Sequence, residues 1–251
     1  FRPLVGGIQL DPDLQDSRRV FDVIFRMLAD GDSAVPAAGM QAIPDQLAAA
    51  LPDGTVRFDA RVESATATSV RVDGVDTDAS AVVIATEGPA AAELLGLPAV
   101  GSKAAGCVYF AADQAPTESK CVVLDGTGDG PVLNVAVMSN IAPSYAPAGK
   151  HLIAAALPAM ADGDLESLTR TQLRGWWGAQ VDDWKHLATY RIPHGQPTQA
   201  PPFSPKQPVA LDDGRFVCGD HRDTASIQGA MYSGRRCADA VIATLEPGAT
   251  T

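Results

Sequence analysis

The sequence predicts a mixed α/β fold built as two domains from discontinuous segments. Three observations carry that reading. Apolar residues recur at helical spacing in some stretches and alternate at every second position in others. One run, Ala81-Val82-Val83-Ile84-Ala85, is apolar throughout, as expected of a parallel strand covered on both faces. Near the C-terminus, Phe216-Val217-Cys218 passes through Gly219-Asp220 into a long helical pattern, the strand–turn–helix order of open α/β sheets.

In chain order, Asp16-Ser17 is the N-cap of a helix over 17–29, with Val20, Phe21, Ile24, Met27 and Leu28 on its apolar side. Pro44, tolerated in a first helical turn, opens a short helix marked by Ile43, Leu47 and Leu51. Between Thr55 and Thr86 the period falls to two, predicting strands at Val56–Phe58, at Val62 and at Val70–Val72. The solid run at 82–84 follows, and then a helix from Pro89 to Leu94-Leu95-Gly96. Further strands are expected around 106–112, 121–125, 132–138 and 151–157, and a helix capped by Asp164 runs through Leu165, Leu168, Leu173 and Trp176. The proline-rich stretch 193–208 shows no period and reads as a linker. The last helix carries Ala230, Gly234, Cys237, Val241 and Leu245 on one side.

Composition narrows the function classes. The 251 residues carry 19 basic and 30 acidic side chains, a net charge of −11. Clustered Lys and Arg for phosphate neutralisation are missing, which argues against nucleic acid and anionic membrane surfaces as partners. No apolar stretch approaches the length of a membrane span, and no secretory signal pattern is visible. Cys107, Cys121, Cys218 and Cys237 are scattered without a CxxC spacing, so they read as thiols in a reducing compartment, with the cytoplasm as the expected location. The opening Phe1-Arg2-Pro3 suggests a piece of a longer protein.

The chemistry-bearing segment is Arg215 to Arg236. Gly219 lets the backbone approach something bulky, and Asp220 lies beyond the carboxyl end of a strand, where open α/β sheets bind ligands. Ser226 opens a helix whose first N–H groups and positive dipole end favour a group that gains negative charge. Elsewhere the residues read as structural. His151, His186, His194 and His221 have no partner at metal spacing, and no metal site is expected. His221 reads as a surface or hydrogen-bonded histidine. Trp176, Trp177 and Trp184 read as core rather than as a substrate tunnel, and Lys185 as solvated.

Cys218-Gly219-Asp220, Ala225-Ser226-Ile227-Gln228-Gly229-Ala230 and Ser233-Gly234-Arg235-Arg236 together resemble the C-terminal flavin-binding signature of the FAD-dependent amine oxidase superfamily. Protoporphyrinogen oxidases and phytoene desaturases belong to that group. Pro36 to Pro44 resembles the family's G-G-M-x-x-I-P segment, Arg61-Val62 its adenine-side strand, and Ala81–Thr86 its strand before the flavin-side crossover. The family's strand, G-x-G-x-x-G turn and helix for the FAD pyrophosphate have no counterpart here. Gly6-Gly7 has the wrong spacing, and Gly126–Gly130 lacks the strand-to-helix context.

The resemblance implies part of a Rossmann-like flavin domain (34–98 and 205–251) and a substrate domain of mixed sheet and helices (1–33 and 99–204). It implies FAD as cofactor, with Val62 near the adenine and Gly219, Asp220, Ser226, Ile227 and Ala230 near the flavin, and Asp220 at the ribityl or pyrophosphate region. The N1–C2=O edge of a reduced flavin is the group that gains charge at the helix start. Hydride passes from a small organic substrate to flavin N5, and no catalytic side chain is assigned. The alternative is a non-catalytic module or partner subunit that needs a separate chain, carrying the dinucleotide-binding unit, to complete the FAD site.

Overall fold

A computed structural model of the chain describes residues 1–158 and 161–246. Helices α1 (Arg2–Ile8), α2 (Arg18–Asp30) and α3 (Ala42–Ala49) come first, followed by β1 (Val62–Ala65), β2 (Ser69–Val72), β3 (Val75–Asp78) and β4 (Val83–Ile84). Next are α4 (Gly88–Leu95), β5 (Ser102–Ala112), β6 (Val123–Leu124), β7 (Asn134–Val137), the single turn α5 (Met138–Ile141) and β8 (His151–Leu157). Helix α6 (Leu165–Trp177), β9 (Lys185–Pro197), β10 (Phe216–Val217) and α7 (Ile227–Leu245) complete the order, which is of the expected mixed α/β class. Among the described residues no helix is long and apolar enough to cross a membrane.

The chain divides into two compact units, residues 1–15, 21–53 and 103–195 in the first and 16–20, 54–102 and 196–251 in the second. The expected division differs chiefly at 34–53, which belongs to the first unit, and at 196–204, which belongs to the second. Residues 159–160 and 247–251 of the expected segments lie outside the described residues.

The first unit is organised on a five-stranded sheet of order β6-β7-β8-β5-β9. Strands β5 and β8 run antiparallel from Gly106 opposite Leu157 to Ala112 opposite His151. Alternation puts Val108, Phe110, Val135, Val137, Ile153, Ala155 and Leu157 on one face, where Leu165 and Leu173 of α6 and Trp184 bury them. Asp164 caps α6 by accepting the Ser167 N–H at 3.0 Å, as expected. Trp176 and Trp177 pack against this cluster, so the tryptophans serve the core. Arg170 holds the 3₁₀ turn Gly178–Asp183 by donating from Nη1 to the Val181 carbonyl and from Nη2 to the Trp184 carbonyl just beyond it at 3.0 Å, and it lies 5.0 Å from the Phe110 ring centroid.

Two expectations fail in instructive ways. The 193–208 linker is not one: residues up to Pro197 continue β9, whose prolines are tolerated because β9 is the edge of its sheet. Beyond it, Gln199 is buried at 3% exposure, donates its N–H to Asp16 Oδ1, and accepts from Ser17 N–H at its carbonyl and from Ala225 N–H at Oε1. Val56 and Phe58 form no strand, and Phe58 is 82% exposed; alternation without a covering face does not make a sheet.

The second unit holds an antiparallel meander, β1-β2-β3, and a parallel pair, β4 with β10. Helices cover both faces of that pair. Val82, Ile84 and Val217 pack against Ala91 and Leu95 of α4, while Phe216 and Cys218 pack against Cys237 of α7. Helix α4 ends as expected at Gly96, whose φ of +65° closes the cap. The parallel pairing of 82–84 is as anticipated, but its complete covering is not, since Val83 is 41% exposed. Val82 and Ile84 carbonyls accept from Phe216 and Cys218 N–H groups, and the opposite edge of β4 pairs with no other described strand.

Candidate functional site

The site begins where β10 stops. Gly219 has φ +147°, a conformation that side-chain-bearing residues rarely adopt, and a Cβ there would come within 2.6 Å of the His221 ring. The chain then makes a 3₁₀ turn, Asp220–Arg222, before Ser226 caps α7 by accepting the Gly229 N–H at 2.9 Å. The first intrahelical bond is Ala230 N–H to Ser226 C=O, so the Ile227 and Gln228 N–H groups precede the helical ladder. They stand at the positive end of a 19-residue helix.

Ser233 locks this turn to the helix. It is fully buried; its Oγ accepts the Gly219 N–H at 2.9 Å, and its one proton points to Gly219 O at 2.7 Å or Ala230 O at 2.9 Å. The buried stripe of α7 is Gly229, Ser233 and Cys237, rotated slightly from the expected Ala230–Gly234–Cys237 side; Leu245 is exposed. Ile227 and Met231, one helical turn apart, are about half exposed and present an apolar surface beside the free amides.

Electrostatically the turn is mixed. Burial, then the Glu87 charge, push the Asp220 carboxyl up, against the hydrogen bonds it accepts from the His221 and its own backbone N–H. A carboxylate with a second acid nearby accepts from hydroxyl donors and repels phosphate. The His221 ring is 2% exposed and pushed down to about 4 by burial and by the Arg222 charge. Its Nδ1 lies 4.0 Å from Asp220 Oδ1, beyond hydrogen-bond reach, and a neutral ring makes no ion pair there. His221 is therefore neither the surface nor the hydrogen-bonded histidine expected from sequence. Cys218 and Cys237 are buried, and burial pushes both thiols up, Cys237 to about 11, so neither is poised as a nucleophile.

Of the six residues expected at the cofactor, five lie together: Gly219 and Asp220 on the turn, and Ser226, Ile227 and Ala230 at the start of α7. Val62 stands apart from them at the first position of the meander, half-buried, opposite Val72. Sequence reading missed the clamp by Ser233, the approach of Glu87 to Asp220, and Arg236, which ties Gln207 O, Arg222 O and Asp223 Oδ2 together. The four-residue recurrence Gly229–Ser233–Cys237 was the available signal for the first.

The group implied by the resemblance can be tested against this geometry. Two helix-start amides without intrahelical acceptors, an adjoining apolar helix surface and a hydroxyl-accepting carboxylate suit a flavin ring with its polyol chain. Asp220, with the Glu87 charge near it, does not favour a pyrophosphate at that position.

The fold of the chain recurs in known structures. An oxidoreductase from Methanosarcina mazei superposes on 95% of the chain with a TM-score of 0.71 at 18% identity. A reduced UDP-galactopyranose mutase superposes on 99% with a TM-score of 0.68 at 14% identity. The chain corresponds to 63% and 65% of the lengths of these proteins. No curated protein matches it. Residues 1–242 match the profile of the flavin containing amine oxidoreductases, and the chain belongs to that family.

Proposed function

We propose that the chain is the flavin- and substrate-binding portion of an FAD-dependent oxidoreductase, of amine oxidase or desaturase type, acting on a small apolar organic substrate. The observation that carries this reading is the Gly219–Ala230 turn, clamped by Ser233 so that two amides stand free at a helix start. When bound, FAD would supply at N5 the acceptor for a hydride taken from a substrate C–H bond, with the electrons then passing to an external acceptor. The residues of the chain orient and tune that chemistry. Ile227 and Gln228 N–H groups stabilise negative charge gained on reduction, and Asp220 accepts from ribityl hydroxyls. Val62 takes the adenine end.

The flavin-binding role belongs to the second unit and the substrate role to the first. The sheet face of the first unit opposite its core is lined by half-buried Cys107, Ala111, Ala136, Ala154 and Ala156, with Tyr109 and Tyr190 edge to face at 5.9 Å. Small residues leave room there, which favours an apolar substrate. Burial, with Cys107 and Tyr190 beside it, pushes the Tyr109 hydroxyl up to about 12, so it remains a donor at neutral pH. The expected cytoplasmic location forms part of this proposal.

One observation favours the alternative of a module completed by another polypeptide segment. Among the described residues the parallel pair β4–β10 has two strands and no further strand pairs with its β4 edge, and the chain corresponds to 63% of the Methanosarcina protein. A dinucleotide-binding unit, in the same or a separate polypeptide, would extend that edge. Titration of the chain with FAD, followed by its visible spectrum, separates the readings. Saturable yellow binding, weakened by Asp220→Ala, supports a self-sufficient flavin site. Binding only after a dinucleotide-binding unit is added supports the completed module. Saturation unchanged by Asp220→Ala contradicts the role given to that residue.

A further inference from the structure

The second unit has a cleft of about 460 Å³ between α4, the segment before β10 and the turn after it. One side is apolar, formed by Ala92, Leu97 and Val100. The other is polar, formed by His221 and Arg222 with Gln207, and Asp212 stands exposed at the rim. Both ring nitrogens of His221 and Nε of Arg222 are buried with no hydrogen-bond partner. No carboxylate among the described residues pairs with Arg222, because the adjacent Asp223 accepts instead from Arg236, at 3.2 Å. Arg236 also donates to the Gln207 and Arg222 carbonyls, and the Gln207 N–H donates to Arg222 O at 3.1 Å, so the polar wall is held from behind.

A half-buried guanidinium with no counter-charge is costly, and burial alone pushes the Arg222 group down. The neutral His221 ring beside it offers one N–H donor and one bare nitrogen. We infer that this cleft is a binding site for a small organic carboxylate with an apolar tail, its carboxylate on Arg222 and His221 and its tail against Ala92, Leu97 and Val100. The cleft adjoins the flavin site proposed above, since His221 and Arg222 belong to the same turn, but its lining includes none of Gly219, Asp220, Ser226, Ile227 and Ala230.

Calorimetric titration of the full chain with hexanoate tests this, with hexanamide as the neutral probe. One saturable hexanoate site is expected, with hexanamide and the Arg222→Gln variant each weaker by at least about tenfold. Pro98→Trp, at an exposed position on the mouth of the cleft, blocks entry and is expected to weaken hexanoate likewise. It keeps the test decisive should circular dichroism show Arg222→Gln unfolded. No saturation by hexanoate, equal binding of hexanamide, or hexanoate affinity unchanged in the folded variants would overturn the assignment.

Discussion

Replacing Ser233 by Ala tests whether one hydroxyl holds the site together. The side chain is fully buried, and its Oγ is the only described partner of the Gly219 N–H, at 2.9 Å. Alanine leaves that half-buried amide without an acceptor, at about 1 kcal/mol, and removes the hydroxyl's own bond to Gly219 O or Ala230 O, at about 1 kcal/mol more. The volume change is one oxygen, so the cavity contribution is small. A loss of about 2 kcal/mol corresponds to about thirtyfold in the opening equilibrium. The tryptophans all lie in the first unit, so fluorescence would report the wrong half of the molecule. Native-state amide exchange at Phe216, Val217 and Cys218 reads the second unit directly, and these amides should exchange about thirtyfold faster in the variant. Exchange within about threefold of wild type would refute the clamp, and with it the claim that α7 positions Gly219.

Other outcomes follow from the same geometry. Gly219→Ala places a Cβ 2.6 Å from the His221 ring at φ +147°, and should lower stability by about 2 kcal/mol or more in urea unfolding. Arg215→Met removes donors to Ala65 O at the end of β1 and to Leu94 O and Leu95 O at the end of α4, and should cost about 2 kcal/mol; its exposed pairing with Asp213 adds nothing to that figure. His221, neutral in the fold down to about pH 4 against 6.5 when unfolded, contributes stability that is complete above pH 6.5 and lost as pH falls to about 4, on the order of 3 kcal/mol in all. Asp220, raised in the fold, acts in the opposite direction just above its unfolded value, so the difference between wild-type and His221→Asn stability curves isolates the histidine. A difference that stays flat between pH 7 and 4 contradicts its burial in the neutral form.

Much of the architecture could be read from local pattern. The α2, α4 and α6 helices announce themselves through Ser17, Gly96 and Asp164, because caps and periodicity are properties of a few neighbouring residues. Strand β9 was hidden because its prolines mimic a linker, and only its place at a sheet edge makes them harmless. Alternation at Val56 and Phe58 misled for the converse reason: a period-two pattern specifies a strand only when some other element covers one face. At the site, five of six expected residues share one turn because they are contiguous with the motif. Ser233, Glu87 and Arg236 reach the turn across 13 or more positions, and the orphaned nitrogens of His221 have no sequence signature at all.

The central claim is that the start of α7 receives the flavin. Amide hydrogen exchange across Asp220–Ala230, measured with and without saturating FAD, tests it most directly. The account predicts strong protection at Ile227 and Gln228, the two amides that precede the helical ladder. FAD bound with those two amides exchanging as fast as before would contradict it.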